Sequence, residues 1–188
     1  MYLIKEQIEQ IRQFSLAFYE RQDFAHDTKH MNKTIEIAKF IAEKENVSQE
    51  IVALGAIVHQ FHDNLNELIM FLKSINMDQE IIDKLSEIVE FRPFKGTSKE
   101  NVSLEAKVVY DADALQVLGP NGIVREIACN IHARNKTLDK SVEDARKIEQ
   151  QFHDSLQTET AKKMIDRSHR LMKKFWKIYD AWEDDDFL

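Results

Sequence analysis

Residues 48–63 read Ser48-Gln49-Glu50-Ile51-Val52-Ala53-Leu54-Gly55-Ala56-Ile57-Val58-His59-Gln60-Phe61-His62-Asp63. Ser48 is a good helix N-cap, because its hydroxyl accepts from an orphan backbone N–H. Glu50 in the first turn suits the positive end of the helix dipole. The run Ile51–Phe61 is apolar nearly all round. A helix without a polar face must be covered on every side, so this stretch predicts a buried central helix with His59 at its inner end.

Helical periodicity continues on both sides. Leu3, Ile4, Ile8, Ile11, Phe14 and Phe18 recur at spacings of three and four, as do Met31, Thr34, Ile35, Ala38, Ile41 and Ala42. Leu65–Ile75 and Ile81–Phe91 are amphipathic, with Asp78 as the cap between them. Arg92–Asn101 reads as a loop. Leu104–Leu118 predicts a helix ended by Gly119-Pro120. Gly122–Ala133 and Val142–Phe152 are shorter candidates. A last helix is expected over Thr158–Trp182 with Met164, Ile165, Leu171, Met172, Phe175, Trp176 and Tyr179 inward and Trp182 also core, before an acidic tail.

Among 188 residues there are only 4 glycines and 2 prolines, which favours long helices. The expected fold is all-α: a single compact helical domain over 1–188, its core about 24–182. A net charge of −7 argues against a nucleic-acid surface but leaves room for a small phosphorylated ligand. The single Cys129 cannot form an internal disulfide, so a cytoplasmic location is expected. The apolar run Ile51–Val58 is too short to span a bilayer, and no membrane partner is expected.

Seven histidines are present. His26 and His30 are four apart; His59 and His62 are three apart, with Asp63 four beyond His59. On a continuous helix these spacings share a face. Imidazole and carboxylate both ligate divalent ions. Asp111-Ala112-Asp113 interrupts an apolar helix, and a carboxylate buried there needs a cation or donors nearby. Each feature also has an ordinary reading: a core histidine with one hydrogen bond, a helix cap at Asp27, a solvated helix corner at Asp111 and Asp113.

The order His30, His59, Asp111, each in or beside an apolar helix, resembles the HD superfamily of metal-dependent phosphohydrolases. Longer matches resemble its small single-domain bacterial members, which include nucleotide pyrophosphatases. These are His26-Asp27-Thr28-Lys29-His30, then Leu104–Gln116 (the family's Leu-Glu-Ala-Lys-Ile-Val-x-Asp-Ala-Asp-Arg-Leu-Asp), then Gly119, Gly122, Ile123 and Arg125. They end with Thr158–Lys162 and His169, Met172 and Phe175. The resemblance implies hydrolysis of a phosphoester or phosphoanhydride, with a nucleotide as ligand and a divalent metal (Mn, Mg or Fe) as cofactor. It implies His30, His59 and Asp111 as metal ligands. Asp63, one helical turn from His59, offers by its spacing a further carboxylate. His62 and Asp63 are the expected water-activating groups, and Lys33 and Arg125 the phosphate contacts. The sequence departs from the family at Gln60, where the His-Asp pair has Asp, at Ala114, where Arg is usual, and at Gln116, where Asp is usual. Those departures open a second reading, an HD-like domain that binds nucleotide or metal without turnover.

Overall fold

The computed structural model describes residues 5–23, 26–93 and 101–183. Among them it is all-α: α1 Lys5–Tyr19, α2 Thr28–Glu45, α3 Gln49–Val58, a 3-10 turn at Phe61–Asn64, α4 Leu65–Ser74, α5 Gln79–Glu90, α6 Leu104–Ala114, α7 Gly119–His132, α8 Leu138–Asp154 and α9 Glu159–Glu183. Leu3, Ile4, most of the expected loop and the acid tail beyond 183 lie outside the described residues. No described helix is long and apolar enough to cross a membrane.

Local chemistry sets the boundaries. Ser48 Oγ accepts from Ile51 N, Ser103 Oγ from Ala106 N, and Asp78 from Glu80 N, so each caps its helix as the residue type suggests. Asp27 likewise accepts from the N–H groups of Lys29 and His30, which fixes the start of α2 at the turn carrying His30. α3 is buried as expected, with α1, α2, α5 and α6 around it. Gly55 is what allows this closeness: a Cβ there would stand 2.6 Å from Ile88 Cδ1 and 3.1 Å from Val109 Cγ2.

Three expectations are corrected. α3 stops at Val58 rather than running to Phe61, and the chain tightens into the 3-10 turn. α6 ends at Ala114, and Gly119-Pro120 opens α7 instead of closing α6. Gly119 takes φ 75, and a Cβ on Gly122 would lie 2.0 Å from the Val117 carbonyl oxygen, so glycines make this reversal. On α9, Ile165, Met172 and Trp176 are buried, whereas Met164, Leu171, Phe175 and Trp182 are exposed. An inward stripe of one helix takes about a third of its surface, and seven large residues exceeded it.

Candidate metal centre

α2 and α3 bring His30 and His59 together. Their Nε2 atoms are 3.2 Å apart, both rings are buried, and Asp113 from α6 completes the group. Asp113 Oδ1 is 3.1 Å from His30 Nε2 and 3.6 Å from His59 Nε2. Two donors each about 2.1 Å from one ion stand about 3.0 Å apart at right angles and about 3.4 Å apart at the tetrahedral angle. The three separations therefore fit one small divalent cation.

Both rings are held from behind. His59 Nδ1 donates to the Ala56 carbonyl at 2.7 Å. His30 Nδ1 faces Gln116 Oε1 at 3.1 Å. The Gln116 amide has a defined sense, because its Nε2 donates to Thr34 Oγ1 (2.7 Å) and the Ala112 carbonyl (3.4 Å), and Thr34 Oγ1 itself donates to the His30 carbonyl. Nδ1 is thus the protonated nitrogen of both rings, and both Nε2 lone pairs face Asp113. Burial pulls the His30 pKa down.

The carboxylate at this point is Asp113, and the expectation of Asp111 is corrected. Asp111 is fully buried, and its oxygens accept from Gln157 N (2.8 Å), Thr158 N (2.7 Å) and Thr158 Oγ1 (2.6 Å). It clasps the start of α9. Burial raises its pKa to about 6. Gln116, in the turn just after α6, meets His30 as Asp113 does.

Asp63 does not join the group. The break after Val58 turns it outward, its side chain is 88% exposed, and it pairs with His62 Nε2 at 3.2 Å. Lys33 also points away, 60% exposed and paired with Glu36 at 2.9 Å. Ala114 lies in the apolar core. Gln60 does reach the centre: its Nε2 is 2.8 Å from His59 Nε2 and 3.5 Å from His30 Nε2. Arg125 lies beside the centre, its Nη2 3.3 Å from His30 Nδ1.

A cleft of about 630 Å³ opens from the centre, lined by His59, Gln60 and Asp113 at its base and by His62, Asp63, Arg92 and Arg125. Arg92 Nη2 donates to His62 Nδ1 at 2.7 Å. Sequence reading missed Arg92, since no spacing rule links residues 30 apart. Phe18, Phe91, Tyr110 and Phe152 supply apolar wall. Arg134 and Lys136 also line the cleft but are paired with Glu126 (2.6 Å) and Asp144 (2.8 Å).

An all-helical chain with two histidines and an aspartate gathered at the base of a cleft has the fold of the HD-superfamily hydrolases. One such hydrolase from Bacillus thuringiensis superposes with a TM-score of 0.73, at 22% identity, over 96% of this chain and 98% of that one. The individual relatives are more particular. The uncharacterized protein YpgQ of Bacillus subtilis (strain 168) is 27% identical over 188 residues, covering 90% of each chain. The crystal structure of YpgQ in complex with ADP matches with a TM-score of 0.75 at 24% identity, over 93% of this chain and 94% of YpgQ. A Lactobacillus plantarum protein matches with a TM-score of 0.84 at 20% identity, over 98% and 100%. No family model matches the chain.

Proposed function

We propose that the protein is a metal-dependent phosphohydrolase acting on a nucleotide phosphoanhydride. The observation that carries this is the convergence of His30 on α2, His59 just past the end of α3 and Asp113 on α6 on one point, with His59 and Asp113 lining the cleft. These three residues would hold the cation. When bound, it lowers the pKa of a ligated water and polarises a phosphoryl oxygen. The complex of YpgQ with ADP supports a nucleotide as ligand, and a cleft of about 630 Å³ is of the size that takes small molecules.

The remaining roles belong to side chains of the cleft. Arg125 and Arg92 present planar guanidinium groups suited to bidentate phosphate contact. His62 Nε2–H is held by Asp63, and His62 Nδ1 accepts from Arg92. When Arg92 turns to a phosphate, Nδ1 is freed to take a proton from the attacking water, and the Asp63 carboxylate stabilises the imidazolium. The apolar wall excludes bulk water and offers a surface for a base.

The amide of Gln60 at the centre favours a second reading, nucleotide binding without turnover. A screen of nucleoside di- and triphosphates over Mn²⁺, Mg²⁺, Co²⁺ and Fe²⁺ decides between them. Metal-dependent phosphate or pyrophosphate release, abolished by His59→Ala, is expected. Tight nucleotide binding with no release under any metal favours the second reading, and neither binding nor release sinks both.

A further inference from the structure

We infer that Gln60 is a built-in stopper of the metal centre: its side-chain amide stands in for the cation, and a metal binds by displacing it. The inference rests on the metal-site reading above.

The argument is one of lone pairs. With both Nδ1 atoms donating outward, the Nε2 atoms of His30 and His59 present lone pairs only 3.2 Å apart, and Asp113 Oδ1 adds a third acceptor at 3.1 and 3.6 Å. Three acceptors facing one point repel unless something positive lies among them. Arg125 approaches His30 from the Nδ1 side, where the hydrogen already belongs to the Gln116 contact, so it does not serve. Among the described residues, the N–H group that meets these lone pairs is the Gln60 amide, 2.8 Å from His59 Nε2 and 3.5 Å from His30 Nε2. Its hydrogens carry the partial positive charge that the cluster requires.

An aspartate at position 60 would do the reverse. It would add a further acceptor and leave the cluster in need of a cation. Glutamine lets the centre close on itself. Metal binding then has to replace the amide's hydrogen bonds as well as dehydrate the ion. Ions that bind imidazole strongly, such as Zn²⁺, displace the amide more readily than Mg²⁺ does, following the general order of affinity for nitrogen ligands. This differs from a glutamine that serves as a neutral oxygen ligand, because the two roles give opposite signs on truncation.

Gln60 makes no cap hydrogen bond through its side chain, so truncating it leaves the turn intact. The test is calorimetric titration of metal-free protein with Mn²⁺ alone and with Zn²⁺ alone, on wild type, Gln60→Ala, Gln60→Asp and His59→Ala. The stopper predicts that Gln60→Ala binds Mn²⁺ roughly tenfold more tightly than wild type, the worth of one lost hydrogen bond. Gln60→Asp binds more tightly still, and His59→Ala does not bind. ¹⁵N spectra of the metal-free protein add an independent readout: wild type shows unprotonated, hydrogen-bonded Nε2 at His30 and His59, and Gln60→Ala shifts these signals. If Gln60→Ala binds more weakly than wild type while His59→Ala abolishes binding, the amide is a ligand, the stopper is refuted and the metal site stands. If no protein binds either ion, Gln60→Asp included, the metal reading falls with it.

Discussion

Asp111 and Asp113 sit one alanine apart on α6 and have opposite surroundings. Asp111 is enclosed by donors: two backbone N–H groups and a threonine hydroxyl satisfy it, and no cation is needed. Asp113 meets two imidazoles that offer lone pairs, so its surroundings call for positive charge. One carboxylate ties α6 to α9, and the other faces the cleft. The lesson is that a buried aspartate is assigned by the partners it has, and two adjacent matches to a motif can divide structure from chemistry.

Breaking the Asp113 side of the comparison should have the largest effect. Asp113→Ala is expected to lower metal affinity, and metal-dependent hydrolysis with it, by on the order of 10²-fold or more. Thermal stability of the metal-free protein should hardly change. Titration of the metal into the variant, with a melting curve alongside, checks both halves.

Asp111→Ala should show the converse. It orphans three donors at the start of α9, the two of Thr158 buried, and a loss of about 3–5 kcal/mol is expected, read as a lowered urea midpoint. Metal affinity of the folded fraction should stay within about twofold of wild type. A variant that folds as stably as wild type but binds no metal would reverse the two roles.

Much of this was legible before any coordinates. The buried helix over Ile51–Val58 and the caps Ser48 and Asp78 follow from side-chain chemistry within a few residues. His30, His59 and Arg125, which the sequence groups by resemblance, lie close together in the structure. The failures share a cause. Helical spacing puts Asp63 beside His59 only while the helix continues, and the helix breaks after Val58. A linear motif does not say which of two carboxylates, Asp111 or Asp113, meets donors from Thr158, 47 residues from Asp111. Lys33 sits on the same helix as His30 but on its solvent side. Arg92 depends on α5 packing near the turn after α3, a tertiary fact.

Glu149 sharpens the comparison with a third case, a carboxylate only partly satisfied. It is buried, Trp176 Nε1 donates to Oε2 at 3.4 Å, and Oε1 has no hydrogen-bond partner and lies 3.8 Å from the equally unpartnered His169 Nδ1. Burial raises its pKa. The stability it gives is therefore full below its ordinary value and is lost as pH rises through the raised folded value. Glu149→Gln keeps an acceptor for Trp176 and offers an N–H to His169. At pH 7 the substitution should stabilise by about 1 kcal/mol, with the gain shrinking toward pH 4; urea titrations at the two pH values measure it.

The smallest effect is expected at Lys33. Its partner is an exposed glutamate, so Lys33→Ala should change stability by less than about 0.5 kcal/mol and leave hydrolysis within about twofold. A loss comparable to that of Arg125→Ala would return Lys33 to the phosphate contacts.

The most direct test of the central claim is an anomalous difference map from crystals soaked in Mn²⁺. The account predicts a peak about 2.2 Å from His30 Nε2, His59 Nε2 and Asp113 Oδ1, with the Gln60 amide turned away. A peak at Asp111 or Asp63 instead, or none at full soaking, would contradict it.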